Sequence, residues 1–203
     1  GTLDRTTNGA GPVMDQNWEQ LSALLLEDDF GELTSFRIPT LKDALRWAKG
    51  KTLLTLDVKR EVPFEKVLQE VDELGAEADV LIITYNLDAA KEVYDFDHEM
   101  LISVSIRSEE VLNRYLDAGV PPANMVAFTG TREPTKETYD RLHEEGILCI
   151  LGTLGNLDKR VATKTDELYR TYLSNGADIL ATDRPLEAGK ALQGFELRQI
   201  TKK

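Results

Sequence analysis

TLLTLDVKREVPFEKVLQEVDELGAEADVLIIT, residues 52–84, reads as strand, helix, strand, and that order decides the fold. Its opening, TLLTLDVK (52–59), is a largely apolar run of strand length. Phe64, Val67, Leu68, Val71 and Leu74 then recur at helical spacing, and Gly75 stops the helix. DVLIIT (79–84) is a second apolar run. Two strands separated by a helix of this length run parallel, because the crossover returns the chain to its starting end.

The same unit repeats on both sides of this stretch. PTLKDALRWAKGK (39–51) precedes it as a helix with Leu41, Ala44, Leu45 and Ala48 on one face. After it come helix 87–96, strand MLISVSI (100–106) and helix 108–119, which Ser108 is placed to cap. Strand NMVAFTG (124–130), helix 134–146, strand ILCILG (147–152) and helix TKTDELYRTYLSNG (163–176) follow. Strand ADILATD (177–183) and helix 185–194 complete six β–α units, with strand starts roughly 21 to 30 residues apart. Near-continuous apolar strands imply cover on both faces. Two architectures fit: an open doubly wound sheet, or a (β/α)8 barrel lacking two units. No G-x-G-x-x-G follows the first strand, which weakens the dinucleotide-binding form of the open sheet. A full barrel takes ~250 residues, so 203 residues suit six units and an N-terminal segment. The chain opens with irregular, glycine-containing sequence, so the missing units are expected at the front.

With 36 acidic against 24 basic residues, the net charge is −12, which argues against a nucleic-acid partner. A small anion held by one or two local cations remains compatible with that charge. Cys149 is the single cysteine, so no internal disulfide forms, and its apolar strand makes it a small core residue. No apolar run approaches the ~18 residues of a membrane span. The N-terminus leaves localisation open: periplasmic or secreted if a leader has been removed, otherwise cytoplasmic.

Barrel enzymes carry their chemistry at the C-terminal ends of the strands. Here those ends bear Asp57 and Lys59, Thr84 to Asn86, Ser105 and Arg107, Thr129 and Thr131, Thr153 and Asn156, and Thr182 to Arg184. The opposite ends carry turn residues such as Gly75, Gly119, Gly146 and Gly176. Strand alternation puts Thr55, Asp57 and Lys59 on one side and Leu54, Leu56 and Val58 on the other. Two ionisable groups facing into a barrel are costly unless paired or bound to something. They either neutralise each other in a salt bridge or serve a ligand, the carboxylate offering oxygen to a hard cation and the ammonium meeting a phosphate. His98, in an acidic linker, and His143, late in a helix, both sit away from that rim and are poor catalysts.

LDRTTNGAG (3–11), IPTLKDAL (38–45), LLTLDVK (53–59), IITYN (82–86) and ADILATDRP (177–185), in that order, resemble the glycerophosphodiester phosphodiesterase family. The resemblance implies a metal-dependent (β/α)8 barrel that hydrolyses glycerophosphodiesters to glycerol 3-phosphate and an alcohol. The family's third-strand Glu-x-Lys reads here as Asp57-Val58-Lys59. On that basis Asp57 is the metal ligand, and Lys59, Tyr85, Thr153 and Asn156 are substrate-binding residues. The family's seventh-strand Trp-Thr-Val-Asn becomes Gly152-Thr153-Leu154-Gly155-Asn156, which keeps the threonine and loses the tryptophan. Residues 1–35 resemble the remnant of a small insertion after the second strand, and 36–203 the barrel units three to eight. The family's His-Arg-Gly, Glu-x-Asp and His-Asp motifs do not occur in this chain, and their places would precede Gly1.

The leading expectation is therefore a glycerophosphodiester phosphodiesterase chain that is inactive alone and holds Ca²⁺ or Mg²⁺ weakly. The alternative is a non-catalytic homologue or fragment that binds ligand or self-associates through open sheet edges. A third reading, a barrel acting on another phosphorylated metabolite, places phosphate near Asn156 and Arg184. With two units absent, the first and last strands are open edges, which predicts a homo-oligomer. Otherwise the N-terminal segment covers the gap with Trp18, Leu21, Leu24, Leu25 and Phe30.

Overall fold

Short polar residues start the helices where the apolar periodicity begins. Thr40 Oγ1 accepts the Asp43 N–H at 3.1 Å while the Asp43 carboxylate accepts the Thr40 N–H at 3.3 Å, closing a capping box. Asn86 Oδ1 accepts the Ala89 N–H at 2.8 Å, and Ser108 Oγ accepts the Val111 N–H at 3.4 Å. The structure, a computed structural model, describes residues 1–195. Residues 196–203, included in the expected 36–203 unit, lie outside the described residues.

An N-terminal unit contains helix α1 (Trp18–Ala23) and the antiparallel strands β1 (Leu25–Glu27) and β2 (Leu33–Arg37). The main body then alternates α2 (Leu41–Ala48), β3 (Leu54–Leu56), α3 (Phe64–Glu73), β4 (Val80–Ile83) and α4 (Leu87–Phe96). It continues through β5 (Leu101–Ser105), α5 (Glu109–Asp117), β6 (Met125–Gly130), α6 (Lys136–Glu144) and β7 (Leu148–Gly152). Two helices, α7 (Asn156–Lys164) and α8 (Leu168–Asn175), precede β8 (Ile179–Ala181) and α9 (Pro185–Ala191).

Strands β3 to β8 form one parallel sheet in sequence order, curled into a half-barrel with helices around it. This is the incomplete α/β barrel expected from the repeat, not an open doubly wound sheet. Pleating divides the strands between two cores. Val80, Ile82, Ile102, Val104, Cys149 and Leu151 point outward and pack with helix residues such as Leu45, Leu68, Val71 and Leu142. Each such fully buried aliphatic side chain contributes about 1.5–3 kcal/mol. Leu81, Val126 and Ile150 form a smaller cluster on the concave side, with Leu101, Phe128 and Leu148 beside them. β3 and β8 are the outer strands, and no pairing joins them among the described residues.

Three features differ from the sequence reading. The helix expected over 163–176 begins only at Leu168, and a helix not expected, α7, occupies Asn156–Lys164 before it; between them Thr165 is extended with φ −167°. Thr165 Oγ1 accepts the Glu167 N–H at 3.3 Å, so this residue ends one helix and tethers the start of the next. The boundary expected at 35/36 falls inside β2, which runs on to Arg37. Arg37 donates to the Ser22 and Ala23 carbonyls at 3.0 and 2.7 Å, tying the hairpin back to α1. The apolar cover is not realised as expected: Trp18 is 50% exposed and Phe30 90%. Hydrogen bonds within the segment, such as Leu25 N–H to Asn8 Oδ1 at 2.9 Å, order it locally and leave both rings in solvent.

Candidate functional site

Regular pairing of β3 ends at Leu56, yet its alternation continues for three more residues. Thr55, Asp57 and Lys59 are exposed, and Leu54, Leu56 and Val58 are half-buried, as the period of two requires. Asp57 Oδ2 accepts from Lys59 Nζ at 2.5 Å, and Asp57 Oδ1 accepts from the Tyr85 hydroxyl at 2.8 Å. Tyr85 comes from the loop between β4 and α4, immediately before the capping Asn86. Adjacent parallel strands therefore bring the three groups together at their C-terminal ends.

The hydrogen bond from Lys59 holds the Asp57 carboxyl below its ordinary 3.8; partial burial opposes this and the Tyr85 hydroxyl assists. Asp57 raises the Lys59 ammonium through the same bond and its charge, and it raises the Tyr85 phenol, with burial adding to that shift. All three groups therefore keep their usual protonation states near neutrality. The ammonium can meet an anion, the carboxylate can offer oxygen, and the phenol can donate a hydrogen bond.

Two cavities open at this rim. One, of about 580 Å³, lies between the β3–α3 loop and the start of α4, lined by Asp57, Lys59, Arg60, Phe64, Tyr85 and Asn86. The other, of about 720 Å³, lies on the concave side of the sheet and includes Thr55, Ser103, Ser105, Arg107, Phe128 and Ile150 in its lining. Tyr85 borders both. The ion pair thus lines the outer groove, not the barrel interior expected for it, because strand pairing has stopped and the chain is turning toward α3.

Thr153 and Asn156 are not brought to Lys59. They follow β7, the fifth strand of the sheet, whereas Asp57 follows β3, the first. Thr153 is fully buried, and its N–H and hydroxyl both donate to the Ala181 carbonyl, at 2.8 and 3.2 Å. Asn156 is exposed as the first residue of α7. Arg184 pairs with Asp166 at 3.2 Å and Glu187 at 3.3 Å, so the cation named in the third reading is already engaged.

A polar cluster that the sequence reading missed sits at the β8 end. Asp158, 4% exposed, accepts from the Tyr169 hydroxyl at 2.9 Å, the Thr182 hydroxyl at 2.9 Å and the Asp183 N–H at 2.8 Å. Burial raises its pKa, but the Asp183 amide and the Thr153, Tyr169 and Thr182 hydroxyls outweigh it and hold the carboxyl below 3.8. No local signal in the sequence pointed to it, because residues 156–162 read as loop and gave Asp158 no helix face to sit on.

Both histidines lie at the other end of the sheet. His98 precedes β5; its Nδ1 is 2.7 Å from the Tyr94 carbonyl and its ring stacks on Tyr94 at 4.4 Å. His143 Nε2 lies 2.9 Å from Asp178 Oδ2, just before β8. His143, Cys149 and Asp178 bring potential metal-ligand atoms within 4.8 Å of one another. Burial pushes the Cys149 thiol up to about 12, and Asp178 Oδ2 already accepts the Cys149 N–H at 2.7 Å, so the cluster reads as a structural clamp. At the rim, Asp57 belongs to no group of three such ligands among the described residues. A hard cation that takes six or more oxygens does not find its ligand set there.

No protein-family model and no curated protein matches the chain. Solved structures do. A glycerophosphoryl diester phosphodiesterase from Parabacteroides distasonis is 33% identical, with a TM-score of 0.87 over 99% of this chain and 71% of its own. A glycerophosphodiester phosphodiesterase from Agrobacterium tumefaciens is 19% identical, with a TM-score of 0.66 over 92% of this chain and 76% of its own. The second likeness is one of fold alone.

Proposed function

The chain belongs to the glycerophosphodiester phosphodiesterase family, and from that premise we propose that its β3–β4 rim binds a glycerophosphodiester. The observation that carries the reading is the Asp57–Lys59–Tyr85 constellation at the strand ends. Lys59 supplies the positive charge for the phosphate. Tyr85 adds a neutral hydroxyl beside it, which turns to the phosphate only by releasing Asp57. Asp57 offers one oxygen to a divalent cation, Ca²⁺ or Mg²⁺, only by giving up Lys59 or Tyr85. With a single carboxylate in that role the cation is weakly held. Such a cation, when bound, draws charge from the phosphoryl oxygens.

Hydrolysis also needs a proton donor for the leaving alcohol, a contribution of about 10²–10⁴-fold. The chain has two histidines, and both are committed at the opposite end of the sheet. We therefore infer that this polypeptide binds the product-like phosphate end of the substrate and does not turn the diester over by itself. A ligand-binding, non-catalytic role is the second reading, favoured by the same placement of His98 and His143.

The test is release of glycerol 3-phosphate from glycerophosphocholine by the purified chain in saturating Mg²⁺ or Ca²⁺, beside Lys59→Ala. No turnover above background is expected. Turnover that disappears in the variant would show that another residue takes the histidines' part.

A further inference from the structure

We propose that Arg107 is an anion-docking residue of the concave cavity, receiving a phosphate group independently of Lys59. The sequence places it at the mouth: Ile106 is buried against the helices, and the next side chain emerges at the C-terminal end of β5. Arg107 is exposed, lines the concave cavity, and has no ion pair or hydrogen bond among the described residues. Lys59, by contrast, is held 2.5 Å from Asp57, so an anion arriving there must compete with a carboxylate. At Arg107 it competes only with water.

The surroundings fit a planar guanidinium. Gly130, at the end of β6, has φ +109°, and a Cβ built there would lie 3.3 Å from Arg107 Nε and 3.7 Å from Cζ. The missing side chain leaves a shelf on which the fork rests, limiting the rotamers lost when it binds. Ser103 lies on the same face of β5, 5% exposed, and its hydroxyl has no hydrogen bond to the described residues. Ser105 and Tyr85 also line this cavity, the Tyr85 hydroxyl itself being engaged with Asp57. The Ser103 hydroxyl opens onto the cavity, where a phosphate oxygen can take the place of water on it. The bidentate guanidinium geometry suits phosphate, and the serine hydroxyls add acceptor-directed donors around it. The proposal does not depend on diester hydrolysis, since any small phosphorylated ligand would use the same groups.

The experiment is calorimetric titration of the full chain with inorganic phosphate and, separately, with glycerol 3-phosphate. Arg107→Ala is expected to weaken both about tenfold or more, as loss of a charged hydrogen bond implies. Arg107→Lys, which keeps the charge and loses the fork, should recover part of that loss. Lys59→Ala is titrated in parallel to read the outer groove separately; the Arg107→Ala loss is expected whatever the Lys59 variant does. Unchanged affinity in Arg107→Ala, or no saturable binding of either probe to the parent chain, overturns the proposal. A loss confined to Lys59→Ala moves the anion to the outer groove and also overturns it. If Arg107 binds phosphate but glycerol 3-phosphate gains nothing over inorganic phosphate, the docking role stands and the glycerophosphodiester reading loses support.

Discussion

Asp178 Oδ2 accepts the Cys149 N–H at 2.7 Å and lies 2.9 Å from His143 Nε2, so one oxygen joins α6, β7 and the start of β8. Beside it the Asp178 N–H donates to the Cys149 carbonyl at 2.9 Å, which starts the β7–β8 pairing one residue before β8 itself. Asp178→Ala leaves a buried amide without an acceptor and is expected to destabilise the chain by about 2 kcal/mol. Asp178→Asn keeps an acceptor oxygen and should cost less. Urea unfolding of the two variants checks the order; equal loss in both would place the effect in charge, not in the amide bond.

The rim pair makes a prediction about titration. Because Lys59 is the main cause of the low Asp57 pKa, Lys59→Ala should move the Asp57 carboxyl up toward 3.8. The Tyr85 hydroxyl bond remains, so the rise should be incomplete. Carbon-detected NMR of the Asp57 side chain through an acid titration reads the midpoint directly. Both side chains are substantially exposed, 63% for Lys59 and 37% for Asp57, so the unfolding midpoint should move little. A large stability change with an unmoved Asp57 midpoint would contradict the arrangement.

Asp158 is a different case, because it is buried. Its folded pKa lies below the ordinary 3.8, so its stabilising contribution is present above that value and is lost as pH falls through the folded pKa. Asp158→Ala strands the Tyr169 and Thr182 hydroxyls and the Asp183 amide, with an expected cost of about 3 kcal/mol at neutral pH. Asp158→Asn should flatten the acid limb of the stability curve relative to the parent chain. Denaturant midpoints measured from neutral to acid pH decide it. A parallel acid limb in the two proteins would mean that other carboxylates carry the pH dependence.

The repeat of strand and helix was legible because its signals are local: apolar runs, helical spacing and the caps at Thr40, Asn86 and Ser108 all lie within a few residues. The same holds for the Asp57–Lys59 pair, two residues apart. Asp158 was invisible because its partners Tyr169, Thr182 and Asp183 lie 11, 24 and 25 residues away. Helix α7 was hidden for a related reason. Gly155, with φ +78°, turns the chain into it after a Gly-Thr-Leu-Gly sequence that reads as loop, and Asp158 N–H bonds back to Thr153 to start the first turn. Which cavity Asp57 faces could not be read from alternation alone, since that depends on where pairing with β4 stops.

The outer strands make the last prediction. β3 and β8 each pair on one side only among the described residues, leaving backbone N–H and C=O groups of two parallel strands without sheet partners. Leu53 and Ile179, 42% and 37% exposed, line the concave cavity beside these edges, with Leu154 at 40%. The N-terminal unit does not relieve this with its largest rings, since Trp18 and Phe30 stay in solvent. Unpaired edges next to exposed apolar side chains favour pairing with a second chain. The chain is therefore expected to scatter light as a species larger than its 22.7 kDa monomer, with the apparent mass rising with concentration. Ile179→Lys puts a charge on one edge, and Leu53→Glu puts one on the cavity wall next to the other. Each should shift the mass toward the monomer without loss of the helical signal in circular dichroism. A parent chain that stays monodisperse near 22.7 kDa across the concentration range would show that the edges are quiet, and would refute association through them.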